Sequence, residues 1–236
     1  IAFMPKKYQH LFFDLDHTLW DFDTNAKETL IELFDRYELA QHGLFEVQDF
    51  ISLYTENNHA LWRAYHLGEI SKEELRDTRF KKTFRELGLP EALIPLQFEE
   101  DYVKESPHKT NLFAGAHEVL QALQPHYHMH IITNGFKESS DLKLSKSNLK
   151  PYFKEIFVSE VIGKYKPDIA LFQHALAVAG CEEKDAIMIG DSLEADILGA
   201  KNAGIDQIFF NPHFQAHTVD CNYEISQLSE LLGILA

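Results

Sequence analysis

The chain has 236 residues, 45% of them hydrophobic and 25% charged, a mixture that excludes collagen, coiled-coil arrays and a disordered tail. Lys and Arg number 22 against 37 Asp and Glu, a formal charge of −15. That sign argues against nucleic acid or an anionic membrane as partner, since both are densely negative, yet leaves room for a small anionic substrate in a local positive pocket. Two cysteines, Cys181 and Cys221, are too few for a disulfide framework and fit a reducing, cytoplasmic setting. No run approaches the ~20 apolar residues that cross a bilayer. The short run Leu11–Phe13 after Lys6 and Lys7 makes no signal peptide. Met4 reads as the natural start, with Ile1–Phe3 ahead of it.

The first element expected in chain order is a short buried strand, Leu11–Leu15, running into Asp16. From about Asp21 to Ser106 no strand is evident. Thr24–Leu39 has helical spacing, with Leu30, Ile31, Leu33, Phe34 and Tyr37 inward and a stop near Gly43. Asp49–His66 reads as a second helix. Ser71-Lys72-Glu73-Glu74 is a capping box that opens a third, ending at Gly88 with Pro90 beyond. Strands resume at His130–Thr133, Glu155–Ser159, Ala186–Ile189 and Gln207–Phe210. Between the later ones lie helices Asp168–Ala179, stopped by Gly180, and Glu194–Ala203, stopped by Gly204. Such alternation implies an α/β fold, a doubly wound parallel sheet with a Rossmann-like core. The helical block reads as an inserted cap: residues 1–20 and 107–236 form the core, 21–106 the cap.

Each expected strand ends in polar residues, and the carboxyl ends of parallel strands are where open sheets bind ligands. Ser159 and Asn211 are read as loop starts. The aspartates resist that reading, because carboxylates gathered at adjacent strand ends repel one another. Asp14 and Asp16, two apart on an extended backbone, leave on the same side. Asp191 joins from a neighbouring strand, with Asp196 five residues on. An oxygen-only set of this kind suits a hard cation, Mg²⁺ rather than Zn²⁺. Lys166, stiffened by Pro167 at the start of a helix, is placed to project toward the same crevice. His126, His128 and His130 alternate into a strand and could bind Zn²⁺, but they lie at its amino end, away from the crevice.

At these residues the chain resembles the haloacid dehalogenase superfamily of aspartyl-phosphate phosphatases. Its D-x-D-x-T motif stands as Asp14-Leu15-Asp16-His17-Thr18 and its strand-ending Thr as Thr133-Asn134-Gly135. Its Lys before Pro is Lys166-Pro167, and its G-D-x-x-x-x-D is Gly190-Asp191 through Asp196. A narrower resemblance, to the bacterial house-cleaning pyrimidine nucleotidases, extends into the cap at Leu61-Trp62, Tyr65, Gly68, Ile70 and Arg79-Phe80. Position 17, commonly Gly or Glu in such proteins, is His17 here. The resemblance implies hydrolysis of a phosphate monoester, a reaction that asks on the order of 20 kcal/mol of its catalyst. It implies Asp14 as nucleophile and Asp16 as general acid, then base. Thr133, the backbone N–H of Asn134, and Lys166 would hold the phosphoryl oxygens. Mg²⁺ would sit on Asp14, the backbone carbonyl of Asp16, and Asp191, with Asp196 behind them bonding metal-bound water or Lys166. The expected partner is a small phosphorylated substrate, a pyrimidine nucleoside 5′-monophosphate, gripped by Trp62, Tyr65 and Arg79 unless these pack the cap's own interior. Competing readings are a phosphatase for a small acid or sugar phosphate such as phosphoglycolate, a phosphomutase, a metal-free dehalogenase, which would leave Asp16 and Asp191 idle, and a non-enzymatic phosphate-binding protein.

Overall fold

Strand β1 (His10–Phe13) is buried along its whole length, as befits the middle of a sheet covered on both faces. β2 (His128–Thr133) and β3 (Glu155–Val158) lie to one side of it. β4 (Ala186–Gly190), β5 (Asp206–Phe210) and β6 (Tyr223–Ile225) lie to the other, in the order β3-β2-β1-β4-β5-β6. Every pairing is parallel, so the connections must cross over and all carboxyl ends share one edge. The computed structural model describes residues 7–235; Met4 and Ile1–Phe3, where the expectation about the natural start falls, lie outside the described residues.

The chain divides into two compact units. The first runs up to Phe22 and resumes at Thr110; the second is Asp23–Lys109. The second is helical: α1 (Phe22–Arg36, entered from the first unit), α2 (Val47–His66), α3 (Lys72–Glu86) and α4 (Phe98–Glu105). The capping box is present as read, Ser71 Oγ accepting from Glu74 N–H and the Glu74 carboxylate from Ser71 N–H. The first helix ends three residues short of the expected Leu39, because Glu38 adopts a left-handed conformation (φ 51°) and a separate 3-10 turn, Leu39–His42, follows. Stacked and edge-on rings of Phe50, Tyr54, Phe80, Phe84 and Phe98 fill the interior.

In the first unit the helices are α5 (Ala116–Leu123), α6 (Lys137–Lys146), α7 (Ser159–Ile162), α8 (Ile169–Ala179), α9 (Gly199–Asn202) and α10 (Leu231–Leu235). Side chains alternate across the sheet into two apolar layers. Leu11, Phe13, Ile131 and Ile187 pack with Leu120, Leu144 and Leu231, while Phe12, Ile132 and Met188 pack with Leu171, Phe172 and Ala200. The helix expected at Glu194–Ala203 is instead a π-turn over Leu193–Leu198 that passes into α9. Strand β6, three residues long, carries too little periodicity to be seen in the sequence. No helix among the described residues is long and apolar enough to cross a membrane.

Candidate active site

Register assembles the site. Phe13 lies level with Ile131 and Ile189, so Asp14, Thr133 and Asp191 leave the sheet within two residues of one another at its carboxyl edge. Asp14 is 7% exposed and Thr133 is 1%. Into this group comes Lys166, 3% exposed, from the loop after α7. Its Nζ donates to Asp14 Oδ1 at 2.5 Å, Asp196 Oδ1 at 2.7 Å and the Ile132 carbonyl at 2.9 Å. Three donors meet three acceptors, and the ammonium is fully satisfied in a buried setting.

Asp196 is aimed by its local backbone. In the π-turn both Asp196 N–H and Ile197 N–H return to the Ser192 carbonyl, and the Asp196 Oδ2 accepts from Ser192 N–H at 3.0 Å. A Cβ on Gly190 would stand 2.2 Å from that Oδ2, so only glycine fits before Asp191. Asn134 holds the lysine loop: its Oδ1 accepts from Lys166 N–H and Ser159 Oγ, and its Nδ2 donates to the Lys166 carbonyl. Thr133 Oγ accepts from Gly135 N–H at 3.0 Å and keeps its own proton to donate.

The charges do not balance. One oxygen each from Asp14, Asp191 and Asp196 falls within 4.8 Å of the others, and among the described residues Lys166 is the ammonium bonded to two of them. Burial pushes the Asp14 carboxyl well above its usual range, Lys166 pulling back and Asp196 and Asp191 adding to the rise. Burial, reinforced by Asp196 and opposed by His17 and Lys166, raises Asp191 to about 6. Burial works against a charged Lys166, but Asp14 and Asp196 outweigh it and hold the lysine above its ordinary value. The Thr18 hydroxyl sits 3.1 Å from Asp191 Oδ1 and 3.5 Å from Asp14 Oδ2. A buried all-oxygen cluster one cation short fits a hard divalent ion such as Mg²⁺, with Asp14 and Asp191 as its carboxylates. Asp196, both of whose oxygens already accept hydrogen bonds, stands behind them.

Asp16 is kept apart from this cluster. Lys143 on α6 donates to its Oδ1 at 2.7 Å, so the Asp16 side chain turns away from the acidic group. Sequence reasoning missed Lys143, which belongs to no motif. The one signal was its helical spacing: it falls in the stripe Phe136, Ser140, Lys143, Leu144 and Ser147 that faces inward. Residue 17 takes φ 64°, a left-handed conformation that costs least for glycine, and here His17 packs on Phe22 at 4.8 Å.

Of the three cap candidates, Trp62 and Tyr65 are half-buried on α2 with ring centroids 5.8 Å apart. Arg79 belongs to α3. It is 4% exposed inside the helical unit, where it donates to both Glu99 oxygens at 2.7 and 2.8 Å and to Asn58 Oδ1 at 3.3 Å. Its guanidinium also covers the Tyr102 ring at 4.9 Å. The hydrogen bonds engage its Nε, Nη1 and Nη2 within the helical unit. Of the three histidines, His130 is buried, stacks on Phe12 and meets His10; His128 is exposed and lies edge-on to His10, and His126 is exposed in the turn before β2.

Comparison with known proteins finds relatives over nearly the whole chain. The family described as haloacid dehalogenase-like hydrolase matches residues 11–210. The pyrimidine 5′-nucleotidase PynA of Streptococcus pneumoniae is 37% identical over 97% of this chain and 95% of its own length. The pyrimidine 5′-nucleotidase YjjG of Escherichia coli is 31% identical over 97% and 98%. A crystal structure of the HAD-hydrolase YfnB of Bacillus subtilis, bound to magnesium, superposes with a TM-score of 0.86 at 32% identity, covering 98% of this chain and 99% of that one.

Proposed function

The chain belongs to the haloacid dehalogenase-like hydrolases, and on that premise we propose that it cleaves pyrimidine nucleoside 5′-monophosphates by way of an aspartyl phosphate. It is a phosphoric monoester hydrolase. The observation that carries the chemistry is the separation of two aspartates two residues apart in sequence, Asp14 buried on Lys166 and Asp16 held elsewhere by Lys143. One reaction needs both a nucleophile and an independent acid; a dehalogenase would use only the first.

In the first step an Asp14 oxygen bonds to phosphorus as the ester P–O bond breaks. The electron pair of that bond goes to the leaving oxygen, which takes a proton from Asp16. In the second, Asp16 accepts a proton from water as the water oxygen bonds to phosphorus, releasing inorganic phosphate and restoring the Asp14 carboxylate. Lys166 offsets the repulsion between the Asp14 carboxylate and the phosphate dianion, and the Thr133 hydroxyl with the Asn134 N–H holds the phosphoryl oxygens. Asp14, Asp191 and the Asp16 carbonyl would hold a Mg²⁺ ion, which would supply further charge neutralisation. Support for the cation is the uncompensated acidic cluster and the magnesium bound in the YfnB structure. The nucleotide reading is supported by two relatives of nearly full coverage named for it. It also has a physical rationale: a base and a sugar offer remote binding energy that positions the phosphate, which a two-carbon acid cannot.

A phosphate-release screen tests this. Pyrimidine 5′-monophosphates, deoxy forms included, are expected to exceed phosphoglycolate and hexose phosphates in kcat/KM by about tenfold or more. EDTA is expected to abolish turnover and Mg²⁺ to restore it. Preference for phosphoglycolate would overturn the substrate, and full activity in EDTA would overturn the metal.

A further inference from the structure

We propose that Lys143 is a positioning residue that pins Asp16 by one oxygen so that the other is the one presented to the leaving group. The inference rests on the phosphatase reading and adds to it a residue that none of the family's motifs contains. Lys143 is 5% exposed, and among the described residues its ammonium has a single hydrogen-bond acceptor, Asp16 Oδ1 at 2.7 Å. Its remaining contacts are aromatic: it lies 4.3 Å from the ring centroid of Trp20, which is fully buried, and 5.3 Å from that of Phe22. The faces of these rings attract a cation and replace part of the water it has lost. The ammonium is therefore enclosed between two rings and a carboxylate, a fixed point against which Asp16 is held.

The second oxygen of Asp16 points elsewhere. Oδ2 lies 3.3 Å from where a Cβ on Gly135 would be, a point equally 3.3 Å from Thr133 Oγ1. The absence of a side chain at Gly135 leaves open a space that Oδ2, the Thr133 hydroxyl and Ser140 Oγ all border, beside the proposed phosphoryl site. Lys143 thus sorts the two oxygens: Oδ1 is occupied, and Oδ2 delivers the proton as the ester bond breaks. Stability alone does not call for such a lysine. A buried ion pair is often no more stable than apolar residues of the same volume, and the neighbours of Lys143 on the inner stripe of α6 are Leu144 and small serines.

The test compares two substrates of nearly one shape, phenyl phosphate and 4-nitrophenyl phosphate, in Lys143→Met and Lys143→Arg. Leaving-group release is read in the first turnover by rapid quench. Phenolate needs a proton to depart and nitrophenolate does not. Lys143→Met is expected to slow phenol release by about 30-fold or more, and nitrophenol release by less than about fivefold. Lys143→Arg is expected to recover most of the phenol rate. Because both rates come from one sample, their ratio is independent of the fraction folded. Equal losses on the two substrates, or no loss on either, would overturn the role. Neither substrate is a nucleotide, so the result stands apart from nucleotide preference. A wild-type protein that releases phosphate from neither would overturn the phosphatase reading, and this inference with it.

Discussion

His130, 1% exposed, lies on Phe12 with its Nε2 3.1 Å from His10 Nδ1. Two buried imidazoles in contact can share one proton but cannot both be charged. Burial, helped by His10 and His128, holds His130 down at about 4, and burial lowers His10 as well. An unfolded histidine titrates near ~6.5. Between those values the unfolded chain takes up a proton that the folded one refuses. The stability tied to a neutral His130 is thus complete above the unfolded value and is lost progressively as pH falls toward the folded one. His130→Phe is expected to shrink the drop in Tm between pH 7 and pH 5 relative to wild type; an undiminished drop would remove His130 from the account. Single residues also mark what could be read from the sequence. Asp14, Asp16, Lys166, Asp191 and Asp196 were legible because each sits in a short motif at a strand end or helix start. Lys143 and the clamp made by the Asn134 side chain were not, since their partners lie 127 and 32 residues away and only the folded sheet joins them.

Arg79 ties α3 to α4 through Glu99, and the same Glu99 also accepts from Arg76 at 3.3 Å. Removing the guanidinium takes both short bonds from the largely buried Glu99 carboxylate and leaves it the longer one from Arg76. Arg79→Met is expected to cost about 3 kcal/mol in denaturant unfolding. Adding Glu99→Gln should return part of that loss, because the weakly paired charge goes with it. An unchanged unfolding free energy in Arg79→Met would show the pair to be incidental. Elements with local signals were readable at this scale: the Ser71–Glu74 capping box, the Gly180 stop at φ 70°, and the buried runs of β1, β2, β4 and β5. The π-turn at Leu193–Leu198 was not, because the extra residue per turn is imposed by Asp196 reaching back to Ser192 N–H and Lys166. α6 was hidden by its own chemistry, with a lysine and serines where an apolar stripe is expected.

Every side chain proposed for the phosphoryl chemistry belongs to the unit that runs up to Phe22 and resumes at Thr110. They come from the residues that follow β1, the end of β2, the turn after β4 and the loop before α8. β2, β1 and β4 are adjacent strands of one parallel sheet, so residues far apart in sequence are delivered to one edge by topology alone. The net charge of −15 disfavours polynucleotides, whose repeated phosphates are repelled and whose monoesters occur only at ends. The proposed substrate is a small monoester beside a buried lysine, and the account turns on which atom attacks it. The most direct measurement is rapid acid quench with radiolabelled substrate. Wild type is expected to carry protein-bound phosphate that hydroxylamine releases, and Asp14→Asn, with its melting profile intact, to carry none and to turn over at less than about one-thousandth of the wild-type rate. Inorganic phosphate formed by Asp14→Asn at near the wild-type rate would contradict the aspartyl-phosphate mechanism outright.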